Sequence, residues 1–359
     1  MRKHLFAIDW WLLGPVIVLI IMSLTTLFSL SPDLFKEQLL SLVIASIFFF
    51  VFANIRYEVF KPLSLPIYIG SLIAFGVVLL LGYESHGAVR WLQLFGATIQ
   101  FSEVCKPLLA LALAGFLSSR ENTKVKNLLF VLLLLVPVIA VIYLQPDLGN
   151  AIIYLFVVTF VLVVYGFRIR WFALCLVPLL ISLPVIWTKL HDYQRQRILT
   201  FLHPSSDQSG ASYNAIQALI AVGSGMFWGR GLSEGTQSGL RFLPERHTDF
   251  IFASMTEELG FIGGIIVLVA FSVLLYRIYC IFRSAEDPYA KIFAACAFGF
   301  ILIHTFLNIG MNVGLVPIVG VTLPFVSFGG SSLLANTILL GVLTAMSNTL
   351  RQGKVLEIK

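Results

Sequence analysis

Residues 258–282 read ELGFIGGIIVLVAFSVLLYRIYCIF. At 1.5 Å of rise per residue, about 20 apolar residues span the roughly 30 Å hydrocarbon core of a bilayer. This stretch is long enough and apolar enough to do so as a helix. Nine further stretches share its character: 11–30, 39–55, 63–83, 101–119, 128–144, 150–167, 171–188, 292–313 and 330–350. The pattern predicts an all-α polytopic membrane protein with ten transmembrane helices, in a single domain over 1–359. The first stretch is too long for a signal peptide, and no small-residue cleavage site follows it.

Composition agrees. Of 359 residues, 58% are hydrophobic and 12% charged, against roughly 25% charged in an ordinary soluble domain. Mean hydropathy is +0.94. These values exclude a water-soluble enzyme and a disordered chain. The net charge of +6 does not make a nucleic-acid partner, because the basic residues are scattered over short connectors. Cys105, Cys175, Cys280 and Cys296 lie far apart in apolar runs, which fits buried packing rather than a disulfide framework or a zinc site.

With ten spans both termini fall on one side. The connectors on that side hold fifteen Lys and Arg residues, from Arg2 and Lys3 to Lys354 and Lys359, while the short connectors opposite hold Lys36 and Arg90. The positive-inside rule therefore predicts cytoplasmic termini. Residues 189–257 then form a large extracytoplasmic loop between helices 7 and 8. Its six basic residues leave the topology unchanged, since long loops cross regardless of charge. Within it, Ile216, Leu219 and Ile220 recur at helical spacing, so 213–228 reads as an interfacial or re-entrant helix ending at glycines.

Ionisable groups at membrane depth cost roughly 2.5–3.5 kcal/mol each and mark sites. Glu103 and Lys106, three residues apart on one helical face, either neutralise each other or line a hydrated cavity shared with the outer loop. In Gln145-Pro146-Asp147-Leu148-Gly149-Asn150, Asp147 suits a helix cap. Arg90-Trp91 suits an interfacial anchor or a lipid phosphate. Asp249 is the last charge before an apolar run, either an N-cap with Phe252 at N3 or a reactive carboxylate at the membrane surface. Glu257 and Glu258 are hard to place in lipid, so at least one should face protein or water. The Gly- and Pro-interrupted stretch 310–332 is tolerated at this depth only inside protein or along a wet cavity.

Several segments together resemble the SEDS family (shape, elongation, division and sporulation). They are Arg90-Trp91, Gln100-Phe101-Ser102-Glu103 with Lys106, Gln145 to Gly149, and Tyr193-Gln194-Arg195-Gln196-Arg197. The glycine-rich 221–232, Leu243 to Phe252 with Glu257 to Gly260, and 308–332 complete the set. Asp9-Trp10, the short N-terminus and Pro244-Glu245-Arg246-His247-Thr248-Asp249 are closer to the elongation member than to the division paralogue. Phe101 and Asn150 depart conservatively from the family pattern.

The resemblance implies a peptidoglycan glycosyltransferase of the bacterial cytoplasmic (inner) membrane that polymerises lipid II on its outer face during elongation. It implies a class B penicillin-binding protein as partner, with the elongation-complex proteins MreC, MreD and RodZ. It also implies Asp249 as the catalytic residue, with Glu103 and Lys106 in the same cavity and His247, Thr248 and Ser327 in the matching motifs. The chemistry requires a base for a sugar hydroxyl and positive charge for a departing diphosphate. Arg90, Lys106, Arg195, Arg197 and Arg246 are the candidate cations. No cofactor is firmly implied; a divalent cation, Mg or Mn, held at Asp249 is the alternative to a side-chain cation. Intramembrane charges and broken helices also suit a flippase for the same lipid, and a scaffold that only recruits the penicillin-binding protein is a third reading.

Overall fold

The computed structural model describes residues 9–85, 88–94, 97–120, 125–203 and 211–357. Arg2, Lys3, Lys124 and Lys359, along with the side chain of Cys175, lie outside the described set. The helices are α1 (Trp10–Leu30), α2 (Pro32–Asn54), α3 (Ser64–Leu81), α4 (Phe101–Ser118), α5 (Val125–Leu144), α6 (Leu148–Val164), α7 (Ile169–Lys189), α8 (Asp192–Leu202), α9 (Ala211–Ser224), α10 (Thr236–Gly239), α11 (Ile251–Ser284), α12 (Pro288–Asn312) and α13 (Gly330–Glu357). A helix therefore lies on each of the ten apolar stretches. Eight of them, α1 to α5 and α11 to α13, are long and apolar enough to cross a membrane, and α6 is a shorter apolar helix. The molecule is a polytopic helical membrane protein.

Local chemistry sets the helix starts. Pro32 and Pro288 open α2 and α12, where a missing N–H is no loss. Asp287 Oδ1 accepts a hydrogen bond from Tyr289 N at 3.1 Å. Asp147 caps α6 as its motif predicts, its Oδ1 accepting from Asn150 N at 3.2 Å. The outer helices are apolar on both faces: Ile73 and Leu80 on α3 and Leu133 on α5 are exposed, as expected of side chains that meet lipid.

The centre of the bundle is α12, which packs on α4, α6 and α11, while α13 packs on α2 and α4. Tyr289 and Phe293 of α12 are fully buried. An ion pair between buried Asp9 and half-buried Arg277 closes the end of the bundle remote from Asp249. Arg277 Nη2 and Nε lie 2.5 and 3.0 Å from Asp9 Oδ2, which also accepts from Ser347 Oγ at 2.6 Å. Cys105 and Cys296 are buried free thiols and Cys280 is a half-buried one.

Two features differ from the sequence expectation. The segment after α3, expected as a short connector, is a three-stranded antiparallel sheet of β1 (Tyr83–Ser85), β2 (Ala88–Leu94) and β3 (Ala97–Gln100), ordered β1-β2-β3. Its β2–β3 register pairs Trp91 with Gln100. Strands this short carry too little periodicity to stand out beside 18-residue apolar runs.

The second difference is that α11 begins at Ile251 rather than at 258, and it is broken at Gly260 (φ 69°, ψ −169°). The backbone groups released there do not go unpaired. Arg230 N and Gly231 N donate to the carbonyls of Glu257 and Glu258 at 3.0 and 3.1 Å. Phe261 N and Ile262 N donate to Met226 O and Phe227 O at 2.9 and 3.4 Å. A Cβ at residue 260 would sit 2.3 Å from Gly229 N, so only glycine fits this junction. The interfacial helix expected over 213–228 is α9, and the segment after it splints α11.

Candidate active site

Asp249 lies in the turn that leads from α10 into α11. Phe250 N donates to Glu245 O at 3.1 Å, and Thr248 Oγ1 to Glu245 Oε2 at 2.9 Å, which closes the turn. The cap position of α11 is Phe250, and no side chain caps it. Asp249 is therefore not the N-cap; its half-buried carboxylate is left for other work.

The backbone of this turn is clamped by polar side chains from α12 and from the irregular 313–329 segment. Asn308 Nδ2 and Asn312 Nδ2 each donate to Asp249 O at 3.0 Å. Asn312 Oδ1 accepts from Ala253 N at 3.0 Å. Ser327 Oγ donates to Thr248 O at 2.7 Å, and Phe328 N donates to His247 O at 2.9 Å. Ser327 thus acts on the site through the backbone of Thr248.

The carboxylate faces residue 320. Gly320 has φ 68°, and a Cβ built on it would lie 3.3 Å from Asp249 Oδ2 and 3.6 Å from Arg197 Nη1. Arg197, from α8, and Arg90, from β2, are the two cations that act on Asp249. Burial pushes the Asp249 carboxyl up to about 7 from its ordinary 3.8; Glu245 adds to the rise, Arg197 and Arg90 oppose it, and Asp147 raises it further. Asp147 in turn steers Arg90, whose Nη1 lies 3.8 Å from its Oδ1. Asp147 is itself held by Gln100 Nε2 and Ser102 Oγ, both at 3.2 Å, and by Asn150 Nδ2 at 2.8 Å.

Other predicted residues are placed elsewhere. Arg195 turns back on α7, donating to Trp187 O at 2.8 Å and to Thr188 O at 2.7 Å. Arg246 donates to Ser238 O on α10. Both were expected as cations for the diphosphate; each guanidinium is instead engaged by backbone carbonyls, of α7 and of α10. His247 packs edge-on against Phe328, with ring centroids 5.7 Å apart, and burial holds its imidazole below the usual range. Glu257 and Glu258 both face protein. Glu257 accepts from Gln237 N, Ser238 N and Ser238 Oγ at 2.8, 2.9 and 2.7 Å. Glu258 accepts from Ser29 Oγ and from Ser233 N.

Glu103 and Lys106 do not line open space, since each is 3% exposed. Lys106 Nζ lies 2.5 Å from Glu103 Oε1 and 2.7 Å from His304 Nε2. His304 lies outside every motif segment the sequence singled out, and Asn308, Asn312 and Gly320 lie in the 308–332 stretch without having been picked as site residues. The first three are spaced by four, which places them on one helical face, and a polar stripe of that kind inside an apolar run was a usable signal. Among the described residues no three His, Cys, Asp or Glu side chains gather to hold a metal ion.

This is a multi-pass helical membrane protein with a carboxyl at one end of its bundle whose pKa is raised by burial and held back by Arg197 and Arg90. Comparison with known proteins gives the family: the sequence matches the FtsW/RodA/SpoVE cell cycle proteins over residues 3–352, and the chain belongs to that family, the SEDS family. It is 39% identical over 286 residues to the peptidoglycan glycosyltransferase MrdB of Escherichia coli K12, covering 79% of this chain and 77% of that protein. It is 35% identical over 317 residues to a probable peptidoglycan glycosyltransferase FtsW of Coxiella burnetii, covering 86% of this chain and 85% of that one. Among solved structures, a chain of a peptidoglycan synthase complex that coordinates polymerization and crosslinking superposes with a TM-score of 0.84 at 30% identity, over 97% of this chain and 99% of that chain. The rod shape determining protein RodA of Thermus thermophilus superposes with a TM-score of 0.71 at 27% identity, over 96% and 98% of the two chains.

Proposed function

We propose that this chain is a peptidoglycan glycosyltransferase that polymerises lipid II at the outer face of the bacterial inner membrane, with Asp249 as general base. The observation that carries the assignment is the Asp249 carboxylate facing the same glycine, Gly320, as the Arg197 guanidinium, with burial pushing the carboxyl up to about 7 against the pull of Arg197 and Arg90. A base poised near the working pH is the most effective proton acceptor. Asp249 takes the proton of an acceptor sugar 4-hydroxyl, whose oxygen then bonds to the anomeric carbon of the donor. The bond from that carbon to the diphosphate oxygen breaks, and its electron pair leaves with undecaprenyl diphosphate. Arg197 and Arg90 hold the departing anion, a role in which guanidinium geometry matches phosphate oxygens. The polyprenyl tail stays in the bilayer, so a reaction centre at the end of a membrane bundle suits this substrate.

A divalent cation, where one takes part, would be held by Asp249. One carboxylate plus substrate phosphates is a normal magnesium environment, and the ion would supply charge neutralisation. Membership of a family with a solved synthase complex supports a crosslinking partner, a class B penicillin-binding protein; MreC, MreD and RodZ are proposed as further neighbours.

The test is purified protein in proteoliposomes with labelled lipid II, with and without chelator and partner. Glycan chains are the expected product, and lipid translocation without polymer would replace this reading with the flippase. In the same assay Arg197→Ala is expected to lower kcat about 10²-fold, the usual loss for one electrostatic stabiliser of developing charge. Arg195→Ala, whose guanidinium is spent on α7 carbonyls, is expected to leave kcat nearly unchanged.

A further inference from the structure

We propose that His304 is a positioning residue for this reaction, tying the buried Glu103–Lys106 pair to the loop that walls in Asp249. The inference rests on the role given to Asp249 above. His304 is 2% exposed, and its two ring nitrogens have different partners. Nδ1 lies 3.0 Å from Thr322 O. A carbonyl can only accept, so Nδ1 carries a proton. Nε2 faces Lys106 Nζ at 2.7 Å. The proton between them is assigned to lysine, the far stronger base of the two. The imidazole is thus a neutral bridge that donates at one end and accepts at the other, and leaving either end unmade inside the bundle would cost stability.

What the bridge holds is the irregular backbone of 320–322. Gly320 abuts Asp249 Oδ2 and Arg197 Nη1. Val321 O accepts from Asn308 Nδ2 at 2.7 Å, and Thr322 Oγ1 lies 2.8 Å from Ser332 Oγ at the start of α13. Asn308, His304 and Ser332 therefore pin the two residues that follow Gly320, whose conformation no helix or sheet enforces. Asn308 also grips Asp249 itself, whereas His304, one turn away on the same face, grips only the wall. Loss of His304 should let the wall drift while the Asp249 backbone stays clamped. A drift of about 1 Å at such a surface typically costs on the order of 10²-fold in rate.

The experiment compares His304→Leu with His304→Asn, whose amide N–H can replace Nδ1 toward Thr322 O, using lipid II turnover and hydrogen exchange over 318–328. His304→Leu is expected to lower kcat at least about tenfold with KM within about twofold, and to speed exchange over 318–328. His304→Asn is expected to recover kcat to within about threefold of wild type and to restore protection. Should His304→Leu not fold, His304→Met makes the same comparison. Wild-type kcat or unchanged exchange in the leucine variant would overturn the inference, as would an asparagine variant no better than leucine. Asp249→Asn serves as control: if it polymerises normally, the function assigned to Asp249 falls, while the exchange measurement still decides whether His304 holds the wall.

Discussion

Asp249→Asn is expected to slow lipid II polymerisation by about 10²–10⁴-fold, the range a positioned general base supplies. Asparagine keeps the shape of the side chain and cannot take the proton, while the clamp from Asn308 and Asn312 acts on the backbone carbonyl and survives. Wild-type kcat should rise with pH and level off above about 7, where the Asp249 carboxyl ionises. The stability effect runs the other way. A carboxyl whose folded pKa lies above its ordinary 3.8 favours the fold most when protonated, and that contribution is lost as pH rises through about 7. The asparagine variant escapes this loss, so at pH 8 its melting temperature should equal or exceed that of wild type. A dead variant that is also less stable would point to a structural role and remove the base assignment.

The second large effect is expected at the buried ion pair. Lys106→Met removes the ammonium that lies 2.5 Å from Glu103 Oε1 and strands a carboxylate between α4 and α12, where 3% of the residue meets solvent. Breaking a buried pair from one side typically costs about 3–5 kcal/mol, because the remaining charge has no partner. The loss should appear as a lower midpoint in thermal or detergent unfolding of the solubilised protein. Adding Glu103→Gln should recover most of it, since a neutral amide needs no counter-charge. A single variant of wild-type stability would mean that Glu103 is protonated or otherwise partnered in the fold.

Much of this architecture is legible in the chain because a bilayer makes hydrophobic length a direct signal. Asp147 could be read as a cap from its neighbours alone, whereas those of Asp249 left a cap and a reactive carboxylate both open, and its expected role came from the family resemblance. What could not be read is where long side chains finish. Arg195 and Arg197 sit in one motif, yet helix phase sends one to carbonyls of α7 and the other to Gly320. The sheet at 83–100 was hidden because its pairing is a property of three short segments together. His304 was overlooked because its meaning depends on partners at 106 and 322, which no local window contains.

The break at Gly260 ties two segments together. Since the hydrogen bonds surrendered there are remade with 226–231, the first turns of α11 are held by that segment as well as by α12, whose Asn312 accepts from Ala253 N. Any larger side chain at residue 260 would therefore disturb 226–231 and the first turns of α11 together.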